Sequence, residues 1–217
     1  NIDSTVSVNT DAGFSIVSYT GDGEATGATV GHGLSKVPEL IIGKGREDDD
    51  HWRCYIPTGL EVQLNGTGTP YALSRWAAPT STLIKPLGTA SGYMNISAEG
   101  FIAYCFHSVD GYSKVGSYTG NGDADGTFVY TGFRPALVII KPSSRGGHWF
   151  MSNNKSNPYN VVDKVILAND SATEYTDPSA DCKIDYLSNG FKPRTADDNS
   201  NDDETYIYLA FAETPFK

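Results

Sequence analysis

Apolar and polar residues alternate along most of this chain in short runs, and clusters of Gly, Asn, Asp and Pro separate one run from the next. A period of two places successive side chains on opposite faces, which is the pattern of a half-buried strand. Runs rich in Thr, Val and Tyr predict strands over 14–19, 39–42, 52–56, 101–107, 127–131, 136–141 and 205–212. Pairs such as Asp22-Gly23 and Asn121-Gly122 predict tight turns, because glycine tolerates positive φ. The nearest helical candidates, 74–78 and 161–168, are short and lack a convincing 3.6-residue period with caps.

The pattern also repeats. Ser18-Tyr19-Thr20-Gly21 returns as Ser117-Tyr118-Thr119-Gly120, and Gly33-Leu34 as Gly132-Phe133. Pro38, Leu40, Ile41, Ile42 and Lys44 match Pro135, Leu137, Val138, Ile139 and Lys141, followed by His51-Trp52 and His148-Trp149. Each half closes on a similar strand, Phe101–Phe106 and Tyr206–Phe211, and the offset stays between 97 and 105 residues. An ordered series of this kind marks an internal duplication. The expected fold is therefore all-β: a jelly-roll or lectin-like β-sandwich of two repeated halves with pseudo-twofold symmetry. Residues 1–12 are expected to form a connector, 13–110 the first repeat and 111–217 the second. The halves either form separate sandwiches or interleave, and the short join through Ser108-Val109-Asp110-Gly111 favours one compact unit.

Composition narrows the function classes. The chain has 217 residues, 39% of them hydrophobic and 19% charged, enough for a core and too few charges for a disordered polyampholyte. A net charge of −10 argues against nucleic acid, whose phosphates demand a basic face, and against anionic lipid. No apolar run approaches the roughly 18 residues that read as a membrane-spanning helix, so no membrane insertion is expected. The sequence opens at Asn1 without a signal peptide, as expected of a fragment or processed product. Cys54, Cys105 and Cys182 show no metal or redox spacing, and Cys105 lies in an apolar run where a buried, inert thiol is expected.

Gly13-Phe14-Ser15, Ser18-Tyr19-Thr20-Gly21, Val30-Gly31-His32-Gly33-Leu34 and their second copy, with the ending Ala210-Phe211-Ala212-Glu213-Thr214-Pro215-Phe216-Lys217, form a wider pattern. It resembles modules at the C-terminal ends of tail-fibre-like proteins of aquatic bacteriophages. The resemblance runs from about Gly13 to Lys217. It implies a β-rich virion protein, oligomeric and exposed on the particle, with a homotrimer as the expected assembly and other virion chains as partners. It transfers no catalytic residue.

Several residues could bind a ligand, each against a plainer reading. Trp52 and Trp149 could stack on sugar rings, but core packing explains their recurrence at one place in each half without any ligand. Trp76 and Arg75 lie outside the repeat and are freer to serve function. Asn153, Asn154 and Tyr159 belong to an amide-rich insertion of the second half, suited to hydroxyl-rich ligands or to a polar turn. Asp123 and Asp125, in a glycine-rich turn, are weak candidates for Ca2+, though the EF-hand pattern is absent; no other cofactor is expected. The acidic run 197–204 reads as a solvated loop. The four histidines have no metal-ligand spacing, and no nucleophile elbow, P-loop or dinucleotide fingerprint occurs. The expected function is a receptor-binding module that engages host cell-surface glycan, located on the virion and extracellular. A purely structural virion component and a polysaccharide depolymerase, whose paired carboxylates need only meet in space, are the alternatives.

Overall fold

Antiparallel pairing satisfies the backbone of nearly every apolar run in the sequence. A computed structural model describes residues 1–47, 49–176 and 183–215, and among these there are strands and turns but no helix. The chain divides into two units: Asn1–Leu64 with Tyr71–His107, and Asn65–Pro70 with Ser108–Lys217.

In the first unit, the strands are β1 (Ser4–Asn9), β2 (Phe14–Thr20), β3 (Val30–Gly31), β4 (Leu40–Gly45), β5 (Arg53–Tyr55), β6 (Leu60–Gln63), β7 (Tyr71–Ala72), β8 (Trp76–Ala77), β9 (Leu83–Pro86) and β10 (Gly100–Phe106). Seven make a sheet in the order β1-β2-β10-β4-β5-β6-β7, and three make a small sheet in the order β3-β9-β8. Inward residues of both sheets form one core: Val17, Tyr19, Ile41, Phe101, Ala103 and Cys105 meet Val30, Trp76 and Ile84.

The second unit contains β11 (Ser113–Thr119), β12 (Val129–Tyr130), β13 (Pro135–Pro142), β14 (Phe150–Asn153), β15 (Lys164–Leu167), β16 (Tyr175–Thr176), β17 (Ile184–Leu187), β18 (Gly190–Pro193) and β19 (Thr205–Ala212). They pair as β11-β19-β13-β14-β15-β16 and β12-β18-β17, which is the first unit's topology strand for strand with β1 missing. Tyr118, Val138, Ile140, Phe150, Tyr206 and Tyr208 pack against Val129, Tyr186 and Phe191 in a second core. Each unit is thus an all-β, two-layer, sandwich-type fold, and the named sheets pair strands of one half only.

The duplicated sequence signature is a folding lock. Tyr19 and Tyr118 each donate a hydroxyl hydrogen bond to a carbonyl just before the closing strand, to Met94 O at 2.8 Å and to Ser200 O at 2.6 Å. The glycine that follows packs against backbone: a Cβ on Gly21 would lie 2.1 Å from Ile96 O, and one on Gly120 2.0 Å from Asp202 O. The repeated lysine has a structural task too. Lys44 Nζ donates to Asp50 O and Lys141 Nζ to Gly147 O, in each case the carbonyl before the His-Trp pair.

Two short segments read as helical candidates are strands. Residues 74–78 contain β8, paired with β9, and 161–168 contain β15, paired with β14 and β16. Isolated helices of such length lack the hydrogen bonds to offset nucleation, whereas a sheet edge supplies partners at once. Cys105 is buried beside Ser15, and burial pushes its thiol up to about 12. Cys54 is also buried, whereas Cys182 and the end of the tail-fibre-like motif, Phe216-Lys217, lie outside the described residues.

Candidate functional site

The insertion between β14 and β15 is held by a set of hydrogen bonds from its own asparagines. Asn153 Oδ1 accepts from the N–H groups of Lys155 and Ser156, both at 2.9 Å, and its Nδ2 donates to Ser156 Oγ. Buried Asn154 donates to Glu213 Oε1 at 2.8 Å, and Glu213 pairs with Arg134 at 3.0 Å, tying the loop to the end of β19. Asn157 Nδ2 reaches Asp163 Oδ1 at 2.9 Å. Asn160 grips the backbone of Tyr186 through both ends of its amide, at 3.0 and 3.1 Å. Between these fixed points Tyr159 projects with 80% of its surface exposed. The expected amides therefore build the loop, and Tyr159 is what the loop presents. With the loop pinned on both sides, ligand contact would have to order the Tyr159 side chain but not the loop that carries it.

The other expected ligand residues are placed differently. Trp76 is fully buried over Gly43, where a Cβ would lie 2.5 Å from Cζ2 of the indole, so no face of the ring can stack on a sugar. The expectation of a binding tryptophan at 76 is corrected: the residue fills core space, and its strand has a structural counterpart in the second unit. The ladder puts Ile140 and Ile184 in the places of Gly43 and Trp76 in the second unit, so a large-plus-small pair is exchanged for two medium side chains. Trp149 is 4% exposed, and its backbone N–H donates to Asn169 Oδ1, so core packing accounts for it. Trp52 is half-buried, with its ring 6.2 Å from that of Tyr104. Arg75 is held between the rings of Tyr71 and Tyr93, at 5.4 and 4.9 Å from their centroids. Beneath it the buried carboxylate of Glu61 accepts from the N–H groups of Ser74, Arg75 and Trp76 at 3.1, 2.6 and 2.6 Å. That arrangement fixes the segment carrying Trp76 and leaves Arg75 a packed cation.

The acidic turns close on a buried asparagine in each unit. Asn95 Nδ2 donates to Asp22 Oδ1 and Glu24 O, and Asn201 Nδ2 to Asn121 Oδ1, Asp123 O and Thr195 O. Asp123 Oδ1 accepts from Asp125 N at 2.7 Å. Lys192, at 2.8 Å, and Arg194, at 2.6 Å, flank the exposed Asp125 and hold its carboxyl below the usual range. A calcium ion at Asp125 would compete with two side-chain cations. Among the described residues no group of three His, Cys, Asp or Glu side chains is placed to hold a metal.

A second feature was not anticipated. Asp110, Gly111, Lys114, Tyr130, Thr131 and Gly132 line a recess of about 290 Å³ in the second unit. Tyr130 is 65% exposed and Phe128, two residues earlier on the same side, is 44% exposed. The signal was present in the repeat: at the offset of 99 residues that relates Ser18 to Ser117, Thr29 and Gly31 become Phe128 and Tyr130.

Fold and surface together define a tandem of two all-β units whose second member displays exposed aromatic side chains. Residues 1–215 match the family model described as Domain of unknown function (DUF7483), and the chain belongs to that family. No curated protein and no solved structure matches the chain.

Proposed function

We propose that this chain is a virion-surface module of the tail-fibre type and engages host cell-surface glycan through the loop that carries Tyr159. The observation that carries the reading is the pinning of Asn153, Asn157 and Asn160 around an 80% exposed Tyr159. An exposed aromatic face suits the apolar face of a sugar ring, and loops on a sheet scaffold are where binding residues concentrate. The resemblance of the duplicated motif to phage tail-fibre modules supports the location. The net charge of −10 favours neutral or cation-bridged glycans over anionic ones. In this reading the module binds without catalysis.

The test is binding of the labelled chain to bacterial cells, with soluble surface polysaccharide as competitor, for the wild type and Tyr159→Ala. Saturable binding that polysaccharide abolishes, weakened at least tenfold by the substitution, is the expected result. Equal binding by the variant would remove Tyr159 from the site, and no binding to any strain would favour the purely structural virion role.

A further inference from the structure

The two units differ in one place that the duplication makes readable: the first has β1 and the second does not. In the first unit the N-terminal segment lies along two edges at once. Ile2 forms a parallel bridge to Val30, with its N–H on Thr29 O at 2.8 Å, and Ser4 Oγ donates to Gly31 O at 3.0 Å. Ser4–Asn9 then pairs along the whole of β2. Gly33 lies under this strand: a Cβ there would meet Val6 Cγ1 at 3.0 Å and Val8 Cβ at 3.4 Å.

At the offset of 99 residues, Gly33 becomes Gly132, Gly31 becomes Tyr130 and Ser18 becomes Ser117. Gly132 and Tyr130 line the 290 Å³ recess. The recess is thus the counterpart of the seat that Val6 and Val8 fill in the first unit. The residues that would supply a β1 at this offset, from Phe101 onward, fall largely in β10 of the first unit, and among the described residues no other strand pairs with β11 on that side. Only the tip of the hairpin is reproduced. Val109 bridges Ser113, and Ser108 Oγ accepts from Val115 N at 3.0 Å. Beyond it, Ser117 is exposed. Tyr112 and Gly120 bond toward β19, so alternation turns the Ser117 backbone away from β19, toward the open side.

We infer that this recess and the adjoining edge of β11 and β12 form an acceptor seat for an extended segment of another polypeptide with small apolar side chains at alternate positions. The mode is strand addition, in which backbone bonds give affinity and pockets for alternate side chains give specificity. The first unit shows which pattern fits: Val6-Ser7-Val8 over a glycine. Asp110 and Lys114, of opposite sign, line the recess and favour an uncharged strand. Tyr130 adds an aromatic ring to the lining where the first unit has Gly31. The inference rests on the internal repeat and is independent of the glycan reading.

The probe is a synthetic peptide with the sequence of residues 1–9, added to the full chain labelled with nitrogen-15. Saturable shifts of the Ser117, Tyr130, Thr131 and Gly132 amides are expected. Replacing both valines of the peptide by aspartate should weaken binding at least tenfold, as should Tyr130→Glu in the protein, with its circular dichroism unchanged. The assignment is overturned by no shift at millimolar peptide, by equal binding of the aspartate peptide, or by shifts confined to β2 and β3. It is also overturned if soluble oligosaccharide, and not peptide, perturbs these amides, or if the chain dimerises through them.

Discussion

Removing the amide of Asn201 tests the lock that the repeat encodes. Its Nδ2 shares two hydrogens among Asn121 Oδ1, Asp123 O and Thr195 O, at 2.8, 2.7 and 2.9 Å, and its Oδ1 accepts from Thr127 N at 3.3 Å. The residue is fully buried, whereas Asn121 and Asp123 are exposed and can recover water. The cost of Asn201→Ala therefore concentrates on the buried bond to Thr195 and on loosening of the turn. A buried acceptor left unsatisfied costs about 1–3 kcal/mol and each further net bond about 1 kcal/mol, so roughly 2–4 kcal/mol is expected. For a unit of about 100 residues this lowers Tm by about 10–25 °C. Asn201→Asp is the sharper variant, because a carboxylate would face three acceptors with no hydrogen to give. Its carboxyl in the folded state must then titrate above its unfolded value. Folding favours the protonated form, so the deficit relative to wild type is smallest at low pH and grows as pH rises through the folded pKa. Urea unfolding followed by near-ultraviolet circular dichroism, at pH 4 and pH 7, reads both effects. A loss below about 0.5 kcal/mol for Asn201→Ala, the range of an ordinary surface change, would refute the lock, as would an Asn201→Asp that is the milder variant at pH 7.

Other consequences can be checked in the same way. Trp76→Ala should cost about 3–5 kcal/mol, as large-to-small changes at fully buried aromatic positions do, measured as a shift in urea midpoint. Stability should fall as pH drops below about 4, the unfolded range of Asp. Asp22 is held low by the Glu24 N–H and the Asn95 amide, and Asp125 by Lys192 and Arg194. At Asp50, burial pushes the carboxyl up, but the His51 N–H and the Arg53 guanidinium more than reverse it. A depressed carboxyl stabilises above its unfolded value and loses that contribution as pH falls through the folded one. Asp22→Asn should therefore lose less stability than wild type between pH 7 and pH 3, read from thermal midpoints. Cys54 and Cys105, both buried, should resist alkylation in the native chain at pH 8 and react once it is unfolded, as followed by mass spectrometry.

The sequence by itself determined the all-β class and the places of the longer strands, because side-chain alternation and glycine-rich turns are local signals that a sheet must obey. It also exposed the duplication, since Tyr19 and Tyr118 bond the same carbonyl position in both units and each needs the glycine that follows. Only the tertiary structure decided that strands pair within a half, that Trp76 belongs to the core over Gly43, and that Asn153 and Asn154 build the loop that displays Tyr159. These depend on contacts between residues far apart in the chain, where an exposed and a buried tryptophan, or a free and a bonded amide, are written with the same letter. The recess beside Tyr130 was hidden for a related reason: the residues at the offset of β1 fall largely in β10, and only the three-dimensional pairing shows that among the described residues no other strand takes the place of β1 beside β11.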